Sequence, residues 1–312
     1  MLKYLKIGVC LLKNKVVIIG AGNVGLSYAY ALTNQKTKVN EIVLIDTNED
    51  KIKGEAMDLN HGMPFSPSKV DVKAGSYEDC MDARIVCICA GASQKPGETR
   101  LDLLNKNDKI FDSIIKNVLQ SGFDGIFLIA TNPVDIMTFI AQKHSNFPKN
   151  KVIGSGTVLD TARLRYLISN ELNINSKNVH AYILGEHGDS EFPAWSNAFV
   201  GSKSIYNYLS PKQLDEIALK VKNAAYDIID KKGSTYYAIG MVLVRLTNAI
   251  LDDENTIFTV SSYNEQYEVY IGMPSIVNSN GVREIIDIDM SHKECELLTK
   301  SAMIIKNEIK KL

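Results

Sequence analysis

The chain has 312 residues, 45% of them hydrophobic and 23% charged, enough apolar material for two packed domains and too much for a disordered chain. Thirty-five Lys and Arg against 36 Asp and Glu leave a formal charge of −1, so no global field draws nucleic acid or an anionic membrane, and an anionic ligand must be met by a few local arginines. No run of about 18 uncharged apolar residues occurs, so no bilayer span is expected; five cysteines without zinc-type paired spacing point to free thiols in a reducing, cytoplasmic setting and to no metal site.

Residues 1–12 are mildly apolar but interrupted by Lys3 and Lys6, with Lys13 following and no small-residue cleavage site, so they read as a short N-terminal arm and not as a signal peptide. Short β-type runs then alternate with helical periodicity. Strands are predicted at 16–19, 42–45, 85–89 and 126–130, all nearly continuous apolar runs, as expected of parallel strands buried on both faces. The first is followed by Gly20-Ala21-Gly22-Asn23-Val24-Gly25, opening a helix through Ala29, Tyr30 and Leu32. In this pattern the first glycine permits a tight turn, the second lets backbone approach a pyrophosphate, and the third allows close helix–strand contact, while the helix N-terminus offers free N–H groups to the anion. Asp46 follows the second strand, where a carboxylate accepts both ribose hydroxyls of NAD and repels the extra phosphate of NADP. The competing reading is an ordinary glycine loop and a solvated strand end.

Between the third and fourth strands, a loop over 93–100 ends in Arg100, and Leu103, Leu104, Ile110, Phe111, Ile114, Ile115, Val118 and Leu119 recur at helical spacing, with Gly122 as the stop. Ligands of open parallel sheets bind beyond the carboxyl ends of the strands, so this loop overhangs the cofactor crevice, and closure would carry Arg100 to a substrate carbonyl. Otherwise Arg100 is an exposed cation at an unfavourable helix start. Asn132, in Ala130-Thr131-Asn132-Pro133-Val134-Asp135, ends the fourth strand on the same edge; it either touches nicotinamide ribose or substrate, or only forms an Asn-Pro turn.

After about residue 150 the pattern becomes mixed: helices at 159–172, 211–231, 237–251 and 293–310, a strand at 179–184, and a hairpin of 257–261 with 269–272. The expected fold is therefore α/β, a doubly wound Rossmann-type parallel sheet over 1–150 followed by a second, α+β substrate domain over 151–312. On the 159–172 helix, Asp160 and Arg163 share a face. A carboxylate bonded to one imidazole nitrogen fixes its tautomer and stabilises the imidazolium, and an arginine grips a substrate carboxylate through two parallel hydrogen bonds. The imidazole is His187, between Gly185-Glu186 and Gly188-Asp189-Ser190 after a predicted strand. The alternatives are a surface i,i+3 ion pair of little worth and a structural loop histidine.

Taken together and in order, GAGNVG within 16–25, Ile45-Asp46, GASQKPGETRLDLL at 91–104, TNPVD at 131–135, LDTARLR at 159–165, GEHGDS at 185–190 and KGSTYYAIG at 232–240 make the chain resemble the L-lactate dehydrogenases of the lactate/malate dehydrogenase family over essentially its whole length. The resemblance implies NAD as cofactor, His187 as general acid/base, Asp160 as its orienting carboxylate, Arg163 as carboxylate clamp, Arg100 as mobile-loop cation, and Asn132 and Thr235 beside substrate and nicotinamide. Malate-specific members carry an arginine where this chain has Gln94. A second substrate carboxylate would then be buried without its cation, at a cost of about 3–5 kcal/mol, so pyruvate and L-lactate are the expected substrates. Lys95 is the complication, a broader 2-hydroxy-acid dehydrogenase the nearest rival, and a non-enzymatic NAD-binding protein the remoter one. The resemblance further implies a homotetramer with residues 1–14 as an arm, and an anion site for fructose 1,6-bisphosphate at Arg165 and His180; both residues also occur in members that do not respond to it.

Overall fold

In the computed structural model, residues 14–92 and 100–312 are described, Arg100 by its backbone alone; the expected arm through Lys13, and Gln94 with the rest of its loop, lie outside the described residues. Strands β1 (Lys15–Ile19), β2 (Glu41–Ile45), β3 (Asp71–Ala74), β4 (Ile85–Ile88), β5 (Ile126–Ile129) and β6 (Val152–Gly154) form a parallel sheet in the order β3-β2-β1-β4-β5-β6. Side chains along a strand alternate between faces, and the apolar runs supply two cores at once. Val17, Ile19, Val43, Ile45, Val86 and Ile88 pack on one side, and Val16, Ile18, Ile42, Leu44, Ile85 and Cys87 on the other. Helices cover both: α1 (Asn23–Asn34) and α2 (Glu49–His61) on the second face, α3 (Arg100–Gln120) and α4 (Val134–Ser145) on the first.

The second half supplies α5 (Val158–Leu172), β7 (Val179–His180), β8 (Ile183–Leu184), β9 (Phe192–Pro193), β10 (Phe199–Val200), β11 (Lys203–Ser204), α6 (Pro211–Lys232), α7 (Tyr237–Leu251), β12 (Thr256–Phe258), β13 (Ser261–Asn264), β14 (Val269–Gly272), β15 (Ser275–Asn278), β16 (Gly281–Ile285) and α8 (His292–Ile309). Strand β13 pairs antiparallel with β6 and β14, extending the large sheet to eight strands. Helix α7 joins the α1 face and α8 the α3–α4 face, while α5, α6, β7, β8 and β10 enclose a third core around Leu164, Ile168, Ile183 and Leu214.

Two predicted strands are corrected. The single strand expected over 179–184 is two, because the Ala181 carbonyl accepts from Arg165 Nε (3.1 Å) and the Tyr182 carbonyl from Ala194 N–H (2.9 Å), so the chain leaves β7, which pairs with β10, and enters β8, which pairs with β9. The arm expected over 257–261 likewise spans two sheets. Strand β12 pairs with β15 and β13 with β14, and the switch falls where the Thr259 carbonyl turns aside to accept from Thr157 N–H at 3.0 Å. Strands β3 and β6 were not anticipated; both are short, and β3 is only half-buried.

Candidate active site

Chain order in the large sheet reverses between β1 and β4, and a crevice opens beyond their carboxyl ends, the place where open parallel sheets bind ligands. Gly20 takes φ +101°, and a Cβ there would meet Ala90 N at 2.5 Å; at Gly25 it would lie 2.1 Å from the Gly20 carbonyl oxygen. Both glycines are therefore required by close approach of β4 and α1 to the turn. Gly22 faces open space. No side chain caps the start of α1, so its first N–H groups remain available to an anion. Asp46 accepts from Ala21 N–H (2.8 Å) and Asn48 N–H (3.1 Å). Partial burial opposes its charge, but these donors hold its carboxyl below the ordinary range, and lone pairs remain for a ribose. Gly20, Gly22, Asp46, Tyr77 and Ala90 line a cavity of about 710 Å³. An uncapped helix start, an open glycine and an ionised carboxylate beside one cavity fit an NAD dinucleotide.

The catalytic candidates are held by α5. Thr157 Oγ1 donates to the Ile183 carbonyl (2.6 Å), and Ile183 N–H donates to Thr161 Oγ1 (2.9 Å), so the first turn of α5 grips β8 just before Gly185. Gly185 in turn exchanges two 3.0 Å backbone bonds with Gly272 of β14. The loop that follows is pinned from the first half of the chain: His187 N–H donates to Asp135 Oδ2 (2.8 Å), and Ser261 Oγ donates to Asp135 Oδ1 (2.5 Å).

Asp160, 1% exposed, accepts on both oxygens: His187 Nδ1–H to Oδ2 and Arg163 Nη1–H to Oδ1, each at 2.6 Å. A carboxylate can only accept, so Nδ1 is the protonated nitrogen and Nε2 is left to titrate. Burial disfavours imidazolium, but the Asp160 charge and hydrogen bond outweigh it and carry His187 to about 9. Asp160 itself is held below its ordinary value against its own burial, by His187 and then Arg163. The i,i+3 pair of Asp160 and Arg163 thus has its carboxylate buried and joined to an imidazole, unlike the surface pair that sequence spacing alone allowed.

Asn132 is exposed at the end of β5, three residues before Asp135. Thr235 lies between α6 and α7 next to Ser234, whose Oγ accepts from Asn23 Nδ2 (3.3 Å), so α1's first turn and Thr235's segment adjoin. Val24 packs on the α1-side core. Arg165 and His180 line different cavities: Arg165 one of about 510 Å³ with Lys177 and Arg245, and His180 another of about 520 Å³. Two residues near His187 were given no role from sequence. Asp135 was visible only as the last letter of TNPVD, and Glu191 lies one position beyond GEHGDS.

A dinucleotide crevice at the turning point of a parallel sheet, with an imidazole and an arginine joined to a buried carboxylate, defines an NAD-dependent oxidoreductase. Residues 14–154 match the lactate/malate dehydrogenase NAD binding domain and residues 157–312 the alpha/beta C-terminal domain of the same family. The L-lactate dehydrogenase of Macrococcus caseolyticus is 53% identical over 302 residues, covering 94% of this chain and 96% of that one, and that of Borrelia turicatae 50% identical over 311, covering 96% and 98%. A crystal structure of a lactate dehydrogenase from a Medee basin deep-sea metagenome library superimposes with a TM-score of 0.94 at 50% identity, covering 96% and 98%. The ligand-bound minor L-lactate dehydrogenase of Enterococcus mundtii gives 0.94 at 47% identity, covering 96% and 99%, and its unbound form 0.88. The chain belongs to the lactate/malate dehydrogenase family.

Proposed function

We propose that this chain is an L-lactate dehydrogenase that interconverts L-lactate and pyruvate with NAD, His187 serving as general acid and base. The observation that carries the reading is that one buried carboxylate, Asp160, is bonded to both His187 and Arg163. Gly20, Gly22, Gly25, the first turn at Asn23 and Val24, and Asp46 hold the dinucleotide, which when bound exchanges a hydride with the substrate carbon. In lactate oxidation His187 Nε2 takes the hydroxyl proton, and Asp160 stabilises the imidazolium that results. In pyruvate reduction the same imidazolium donates to the carbonyl oxygen. A proton affinity near pH 9 in the free protein means that the acid form awaits pyruvate at neutral pH. Arg163 retains N–H donors beyond its bond to Asp160 for the substrate carboxylate. Arg100 stabilises charge developing on the carbonyl oxygen, and Asn132 and Thr235 border substrate and nicotinamide.

Gln94 carries the choice of pyruvate over oxaloacetate. Purified protein assayed by NADH absorbance should reduce pyruvate far faster than oxaloacetate or a branched 2-oxo acid, and Gln94→Arg should move relative kcat/KM toward oxaloacetate. Unchanged ratios would remove Gln94 from substrate selection. His187→Asn should bind NADH and lose about 10²–10⁴ in turnover; near-normal kcat would remove the acid/base reading.

Residues 1–150 act as the NAD-binding domain and 151–312 as the substrate domain of a cytoplasmic homotetramer, a setting that the described cysteines, all free, support. Fructose 1,6-bisphosphate regulation through Arg165 and His180 draws support from the three cations around the Arg165 cavity. His180 lines a different cavity, and it is the family resemblance that puts the effector between subunits. Titrating the pyruvate KM with the sugar bisphosphate tests this, and no change would end it.

A further inference from the structure

The group around Asp160 has a member that the mechanism above does not use. Glu191 stands immediately before β9, its backbone N–H donating to the Gly188 carbonyl at 3.2 Å, so the turn after His187 folds its side chain back toward α5. A carboxyl oxygen of Glu191, one of Asp160 and a ring nitrogen of His187 all lie within 4.8 Å of one another, and Glu191 is only partly accessible. We propose that Glu191 is a positioning residue which raises the proton affinity of His187, acting as a second carboxylate behind the Asp160–His187 pair and keeping the imidazole charged into the alkaline range.

The inference rests on the lactate dehydrogenase reading for its consequence but not for its chemistry. A carboxylate within about 4–6 Å of an imidazolium favours the charged form, more strongly where water is excluded. Burial, and then the negative charge of Asp160, push the Glu191 carboxyl up to about 8, below the value of about 9 that His187 reaches. Once ionised, Glu191 puts a second negative charge within 4.8 Å of the His187 ring nitrogen, which delays proton loss from His187. The other charges facing this group are already committed. Arg163 on α5 is bonded to Asp160, Asp135 on α4 to the His187 backbone and Ser261, and Glu186 to Ser190 Oγ (2.6 Å). Asp189 points outward, accepting from Tyr226 on α6 at 3.2 Å with Lys222 beside it.

The test is Glu191→Gln, close in shape and uncharged, read in two ways. Nuclear magnetic resonance titration of the His187 ring in the full-length protein without substrate should show its midpoint moving about one pH unit toward acid, and the alkaline limb of the pH profile of kcat/KM for pyruvate reduction should move with it. Glu191→Asp, which keeps the charge, should recover part of the shift. An unmoved ring midpoint, or a uniform loss of activity at all pH values with an unmoved limb, overturns the proposal and leaves His187 as acid/base. A ring midpoint that moves while the limb stays supports it, and shows instead that His187 does not carry the limb. If the Gln variant fails to fold, the parent protein decides. Its His187 resonance should report a second, neighbouring ionisation besides the ring's own, and a titration that fits a single ionisation overturns the proposal.

Discussion

One carboxylate oriented toward two cations makes Asp160 the residue on which the site turns. His187 is held protonated by it, so the unliganded fold gains stability from this pair below the ordinary imidazole value of 6.5 and loses that gain as pH rises through about 9. Asp160→Asn should lower the alkaline limb of pyruvate reduction toward the ordinary value and cut kcat/KM by about a hundredfold or more; a limb that stays put would mean another group sets it. Asp135 behaves differently. Its burial pushes it up to about 6, against the Ser261 and His187 donors, so its ionisation works against the fold as pH rises from 3.8 through that value. Asp135→Ala should orphan two buried donors, costing about 1–3 kcal/mol for each, measurable by urea unfolding, with a disproportionate fall in kcat because the His187 backbone is released. Spacing and residue chemistry offered His187, Asp160 and Arg163 beside structural alternatives, and the family resemblance supplied their roles. Asp135 was not, since nothing local says that a carboxylate in the first turn of α4 accepts from a loop 52 positions away.

Among elements, the ones read best were those whose pattern is self-sufficient. Helix α7 came out at its expected bounds and α5, α6 and α8 within a residue at each end, because amphipathic spacing and end residues are local. Strands were misread where carbonyls left their sheet for Arg165 or Thr157, an event decided by tertiary partners. Packing of α1 on α7 could not be read either: a Cβ on Gly240 would lie 2.9 Å from the Ser27 backbone, so the two helices meet there without a side chain between them. Gly240→Ala should force them apart and cost about 1–3 kcal/mol, lowering the melting temperature. Because α1 begins at the dinucleotide turn, NADH affinity should fall too; wild-type affinity in a destabilised variant would show that the turn is held independently of α7.

For the whole molecule, the alternation of apolar runs with helical spacing set the right class, an α/β protein with two family regions and no described helix long and apolar enough to cross a membrane. Sequence also placed the crevice, since glycines, Asp46 and Asn132 all fall at the carboxyl ends of predicted strands. What it left open was how the halves are joined. The large sheet ends in a hairpin contributed by the second half, and His187 is anchored to Asp135 in the first.

That hairpin has a practical consequence for anyone who would cut the gene in two. A fragment of residues 1–155 would carry β6 as a bare edge, with α1 stripped of α7 and α4 stripped of α8, and unpaired strand edges invite aggregation. Produced alone it should be insoluble, whereas co-production with 156–312 should rescue soluble, NADH-binding material through strand complementation. A soluble N-terminal fragment that binds NADH unaided would mean that the seam is an ornament; insolubility repaired in trans would make it the clasp that lets two half-genes behave as one enzyme.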